Sequence, residues 1–320
     1  MHRSATTALA AAFVAICLAS VSAADDGMFL PNDQADVYAA TTIVPPQYGE
    51  DQISFVADDG GQPYWSTICN VELTFLRFGL EGGVVDNAGE AGTFGISLSP
   101  RLELGRQRDD GVGTRVRYWT YNQSTVTVDN PDIEEASGQT ISANTFVMDG
   151  EFVQDIDLNN LTSLEVAAGV RYLEFDLDLG THAVANDIRY KSHFDGLGIT
   201  FGTVLRRQAR YGNLYAKARG SLLMDDIELS GKSIVDPASD SKVVGNDHPV
   251  TQIELGIGYE KARYFDNGAV LRVRVGLESQ QWLSVAARKS EGAGVPLRAT
   301  PDNGTDAAFA GFLVGGELSY

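Results

Sequence analysis

Residues 251–280 read TQIELGIGYEKARYFDNGAVLRVRVGLESQ. Two alternating runs flank a turn. In the first, Ile253, Leu255, Ile257 and Tyr259 share one face, and Gln252, Glu254, Gly256, Gly258 and Glu260 share the other. In the second, Leu271, Val273, Val275 and Leu277 interleave with Arg272, Arg274, Gly276 and Glu278. Successive strand side chains point to opposite faces, so this pattern predicts two strands, each with one greasy and one polar face. Arg263–Asn267 between them carries the Asp and Asn that favour a tight connection.

Working outward, the same template fits ten times, at roughly 66–79, 93–105, 113–123, 144–157, 162–176, 191–205, 213–226, 248–262, 268–283 and 308–320. No long stretch has a helical period. Segments of ~13 residues exceed the ~5–6 of ordinary strands. They suit a tilted strand crossing a hydrocarbon layer, which takes ~9–11 residues plus its ends. The connections alternate in length. Gln107–Gly111, Leu158–Leu161, Arg207–Gly212 and Arg263–Asn267 are short, and longer loops are expected near 80–92, 124–143, 177–190, 227–247 and 284–307. Short periplasmic turns alternating with long external loops, on an even number of strands, predict an all-β fold: an antiparallel up-and-down transmembrane barrel of about ten strands.

The rest of the chain fits an exported protein. Arg3, the apolar run Ala8–Ala19 and Val21-Ser-Ala23 form a signal peptide, with cleavage expected near Ala23. That cleavage removes Cys17, so the mature chain is expected to hold no internal disulfide. Residues 24–65 contain eight Asp or Glu and no Lys or Arg, and read as an acidic, mostly irregular lead-in. The barrel is assigned to 66–320. The net charge is −19. Such an excess of acid excludes a nucleic-acid binder, which needs a basic face for phosphates.

Aromatic residues cluster at the strand ends. Tyr118, Trp119, Tyr172, Phe175, Phe94 and Phe146 are expected toward the long loops, and Tyr211, Tyr259, Tyr264, Phe265 and Tyr320 toward the short turns. Two girdles at headgroup level are expected of a barrel in lipid. The chain ends Phe312-Leu-Val-Gly-Gly-Glu-Leu-Ser-Tyr320. Gly315, Leu318 and the final Tyr320 resemble the terminal-strand signal by which bacterial barrels are recognised for insertion.

Alternation alone does not say which face looks outward. Three strands, however, carry a basic pair at the same distance from a short turn: Arg115 and Arg117, Lys217 and Arg219, Arg272 and Arg274. All six lie opposite the aliphatics. Lipid exposure of such a group at the midplane costs roughly 2–4 kcal/mol, so these are assigned to a lumen as a basic ring. Glu72, Glu103, Asp149, Glu151, Glu165 and Glu254 are assigned to the same face as its acidic partners. The lumen is then either a salt-bridged plug that keeps the barrel round or a narrow polar pathway.

The segments Pro100–Gly105 (PRLELG) and Asp110–Tyr121 (DGVGTRVRYWTY) resemble the turn-and-strand hallmark of pore-forming outer-membrane proteins of the Legionella major-outer-membrane-protein type. Val147–Glu151, Leu164–Tyr172 and Phe194–Gly198 are similar to its following strands. The resemblance covers 66–320 and implies an outer-membrane barrel with pore formation as its attributed activity. The disulfide-linked members are not matched. Ten strands make a narrow barrel, whereas wide water-filled porins need ~16–18.

Signals for other chemistry are weak. His182, His193 and His248 map to the external loop ends, next to Ser192 and Asp247, but no nucleophile-elbow motif accompanies them. Asp176-Leu-Asp178 and Asp225-Asp226 could meet a hard cation such as Ca²⁺, but they lack an EF-hand spacing and are read as solvated loop acids. No catalytic residue, metal or cofactor is expected. The expected function is a narrow porin-like channel or a structural envelope protein. A binding or adhesion barrel acting through its long loops, or a secreted soluble barrel, is the alternative. The expected partners are outer-membrane lipid, the barrel-insertion machinery and, for a pore, small polar solutes.

Overall fold

The computed structural model describes residues 65–81, 95–127, 138–183, 186–233, 241–287 and 304–320. The leader, the acidic segment to Tyr64, Phe94 and the ends of the long loops lie outside the described residues. Ten strands follow in order: β1 (Trp65–Glu81), β2 (Ile96–Arg108), β3 (Val112–Thr127), β4 (Gly138–Asn159), β5 (Thr162–Ala183), β6 (Asn186–Ala209), β7 (Gly212–Ser233), β8 (Ser241–Tyr264), β9 (Val270–Ala287) and β10 (Gly304–Ser319). Each pairs antiparallel with its sequence neighbours, and β1 pairs with β10 from Ile68–Ser319 to Glu81–Asp306. The sheet is therefore a closed barrel without a free edge.

The short turns explain their own composition. Gly111 and Gly268 both adopt φ near +83°, where a Cβ would be strained. Asn159 Oδ1 accepts from Leu161 N–H at 3.0 Å, and Asn267 Oδ1 accepts from Ala269 N–H at 3.1 Å. Asp and Asn side chains thus satisfy backbone donors that the ladder leaves over.

At the opposite end the strands run further than the alternation suggested. The described residues of the loops expected at 124–143, 177–190 and 227–247 are strand, with β4–β8 extending to 22–24 residues. The reason is visible on β5. Up to Tyr172 its outward side chains are Leu164, Val166, Ala168 and Val170, and its inward ones include Glu165 and the buried Arg171. Beyond Tyr172 the outward positions are Glu174, Asp176 and Asp178, and the buried inward ones are Leu173, Phe175 and Leu177. The ladder continues while polarity exchanges faces.

Neighbouring strands make the same exchange. One outward row of the ladder runs Tyr118, Met148, Tyr172, Leu197, Met224. Two rows higher it runs Asn144, Asp176, His193, Glu228. Below the exchange, Leu255 is 55% exposed, Ile257 61% and Leu277 61%. A contiguous apolar belt of this kind is the outer surface of a barrel in lipid. Tyr118, Phe146 and Tyr172 edge one another at 5.5 and 6.1 Å and form a girdle at its upper border. Tyr211, Tyr264 and Phe265 lie exposed at the short-turn end. Trp119 and Phe175 do not belong to the girdle. They share the parity of Arg117 and Arg171 and point inward.

Cys69, on β1, is buried, and the other cysteine of the sequence, Cys17, lies outside the described residues. The expectation of no disulfide applies to a chain that has lost residues 1–23.

Candidate functional site

Within the apolar belt the interior is occupied by side-chain charges. Arg101 is fully buried and donates to Glu72 at 2.8 Å and to Glu278 at 2.6 and 2.8 Å, with Glu254 at 3.7 Å. Arg117 reaches across the barrel to Glu254 at 3.1 Å and lies 3.2 Å from Glu103. Arg171 holds Asp149 through two bonds, at 2.6 and 2.8 Å, and donates to Gln252 at 2.7 Å.

Nearer the short turns, Arg115 bonds Glu151 at 2.7 Å and Glu165 at 2.5 Å, and Arg206 bonds Glu165 at 2.8 Å. Lys217 pairs with Glu254 at 3.0 Å and also with Glu278, and Arg219 pairs with Glu151. Arg274 joins Glu317 at 2.6 Å and Glu72 at 3.2 Å, while Arg272 closes on Glu317. Arg206 also reaches Glu260 at 3.5 Å.

All six cations assigned to a basic ring, and all six assigned acids, therefore face the interior. They do not form a ring of free cations. Among the described residues the mesh holds nine cations and nine carboxylates, so its formal charge is zero. The acidic excess of the chain lies elsewhere. Beyond the twelve assigned residues the mesh holds Arg101, Arg171, Arg206, Glu260, Glu278 and Glu317, and of these Arg101 and Arg206 were not read as polar-face residues from the sequence. Both follow the period-two parity of their strands, Arg101 with Ser99 and Glu103, and that parity was the available signal.

The glycines of this face give space to neighbouring side chains. A Cβ at Gly256 would come within 2.5 Å of Lys217 Cε, and one at Gly258 within 2.6 Å of the Tyr215 ring. One at Gly202 would come within 3.2 Å of the Arg219 guanidinium. The mesh borders a polar cavity of about 50 Å³, lined by Glu72, Arg117, Glu165, Arg206 and Glu317 among others. That is room for ordered water.

Above the mesh, the exchanged polarity fills the interior with rings. Phe309 is the hub, 5.1 Å from Phe78, 4.9 Å from Tyr121 and 5.6 Å from Trp119. Trp119 stacks on Trp282 at 6.3 Å, and Phe175 lies 6.4 Å from Phe78. Leu76, Leu173, Leu177, Phe194, Ile227 and Val250 complete a buried layer. Such a layer is packed like an ordinary protein core.

The remaining candidates separate. His248 is buried inside, its Nε2 hydrogen-bonded to the Ser284 carbonyl oxygen at 2.6 Å. His193 stands on the outer face beside Asp176 at 2.8 Å. The wall lies between them. At the C-terminus, Gly315 faces inward, where a Cβ would meet Glu72. Leu318 and Tyr320 face outward, and Tyr320 exchanges backbone hydrogen bonds with Thr67 at 2.8 and 3.1 Å.

A closed antiparallel barrel with an apolar exterior, aromatic borders and a charged interior is a transmembrane barrel of the bacterial outer membrane. The chain belongs to the Legionella pneumophila major outer membrane protein family, whose model matches residues 97–320. No curated protein matches the sequence. Similar solved structures include the Escherichia coli outer-membrane protease OmpT, at 12% identity and TM-score 0.42, over 80% of this chain and 96% of that one. The Pseudomonas putida toluene transporter TodX matches at 8% and 0.32, over 80% and 89%. A Pseudomonas aeruginosa FadL homologue matches at 8% and 0.28, over 80% and 90%.

Proposed function

We propose that this outer-membrane barrel is a structural element of the envelope whose interior is closed to solutes. The observation that carries this reading is the ion-paired cross-section at Arg101, whose guanidinium lies within 4 Å of Glu72, Glu254 and Glu278 at once. A pore needs a continuous polar path. Here the polar layer is stitched shut by charge pairs, and the layer above it is aromatic. Removing one member of a buried ion pair strands the other at about 3–5 kcal/mol, so the mesh resists local opening. The partners in this role are outer-membrane lipid and, during assembly, the insertion machinery that reads Gly315, Leu318 and Tyr320. No catalytic role is assigned.

The narrow porin-like channel remains the second reading, favoured by the polar cavity inside the mesh. It requires displacement of the Phe309 layer. Planar-bilayer recording of the purified, folded barrel separates the two. The closed barrel gives a silent membrane in salt. Reproducible conductance steps from the unmodified protein would overturn it in favour of the channel.

A further inference from the structure

Four donor side chains meet on the outer wall, one step beyond the aromatic girdle. Glu174 and Asp176 are two apart on β5 and so share a face. In the ladder, Asp195 lies opposite Glu174 and His193 opposite Asp176. Directly opposed residues have Cβ atoms ~4.5–5.5 Å apart, so the backbone itself brings these groups together. Ligand atoms of Glu174, Asp176 and His193 lie within 4.8 Å of one another. Two donors on one zinc ion, each at ~2.0–2.2 Å, stand ~3–4 Å apart, and small side-chain rotations cover the difference.

The imidazole makes this more than a group of acids. Its Nδ1 is 2.8 Å from Asp176 Oδ1, and its Nε2 is 3.6 Å from Asp195 Oδ1. Each ring nitrogen faces a carboxylate. A neutral ring has one N–H, so one nitrogen directs a lone pair at an anion. A metal ion placed between that nitrogen and the acid satisfies both. The competing cation among the described residues is Lys191, whose Nζ lies 3.0 Å from Asp176 Oδ1.

We propose that Glu174, Asp176, His193 and Asp195 form a site for a divalent transition-metal cation of the zinc class. Imidazole with carboxylates suits such an ion, whereas magnesium takes oxygen ligands alone. The expectation of no metal came from reading Asp176 as a solvated acid at the strand's end; the extended β5–β6 ladder pairs it with His193. Position gives the site its context. It lies on the water-exposed wall next to the headgroups, where a bound cation offsets the charge of four neighbouring acids, Glu174, Asp176, Asp178 and Asp195.

The test is isothermal titration of Zn²⁺ into the full-length, metal-stripped barrel folded in detergent, with Mg²⁺ as comparison. One Zn²⁺ should bind per barrel. His193→Ala and Asp176→Asn should each weaken binding by ~10–100-fold, with heat-modifiable gel migration confirming that both variants stay folded. Lys191→Ala should tighten binding, because it removes the competing ammonium. Absence of saturable binding would overturn the site and leave His193 an ion-pair partner only. So would binding unchanged in His193→Ala, equal displacement by Mg²⁺, or no gain in Lys191→Ala.

Discussion

The lower and upper halves of this barrel are built from one continuous ladder with opposite solutions to burial. Below Tyr172 the outside is aliphatic and the inside ionic. Above it the outside is acidic and the inside aromatic. The sheet has not changed; the solvent has. A wall facing acyl chains must be greasy outside and can keep charge only where charges pair within. A wall facing water follows the ordinary rule of an apolar core. The exchange between Arg171 and Leu173 inside, and between Tyr172 and Glu174 outside, therefore marks the membrane border to within about one ladder step.

Substitutions matched across this border break or sharpen the comparison. The largest effect is expected below it and inside. Arg101→Leu should cost about 3–5 kcal/mol by leaving Glu72, Glu254 and Glu278 short of a buried partner, read as a lower denaturant midpoint in detergent. Phe309→Ala, above the border and inside, should also cost about 3–5 kcal/mol by the cavity it leaves, while bilayer insertion is retained. Leu255→Arg, below and outside, should lose roughly 2–4 kcal/mol and impair insertion far more than folding in detergent. Above and outside, Glu228→Gln breaks an exposed pair with Lys242 at 2.7 Å and should change stability by at most about 1 kcal/mol. Similar losses for Leu255→Arg and Glu228→Gln would erase the distinction between the two halves.

Much of the lower half was legible because lipid imposes period two on both faces. Leu271 to Glu278 shows this without ambiguity, and the same parity placed Arg115, Arg117, Lys217, Arg219, Arg272 and Arg274 inside. The partners of those charges were not legible. Arg117 and Glu254 are 137 residues apart, and their meeting depends on how the closed sheet brings β3 opposite β8. A sequence shows each strand's face but not the stagger around the barrel.

The upper half was misread for a different reason. In Leu173-Glu-Phe-Asp-Leu-Asp178 the alternation persists, but apolar residues move from even to odd positions. A search for a continuing greasy face loses its pattern past Tyr172, so the strand is ended at 176 and 177–190 is taken for loop. Trp119 and Phe175 were assigned to the girdle by the same habit, since aromatic character was weighed there without parity. The patch around His193 became visible only once β5 and β6 were paired through to their ends.

The most direct test of the exchange is site-directed spin labelling of the barrel in bilayers, with labels at Leu255, Ile257, Asp226 and Glu228. Collision with oxygen, which concentrates in lipid, should dominate at 255 and 257. Collision with a water-soluble nickel chelate should dominate at 226 and 228. Nickel-chelate accessibility at 255 and 257 would contradict the account, because the aliphatic wall would then face water.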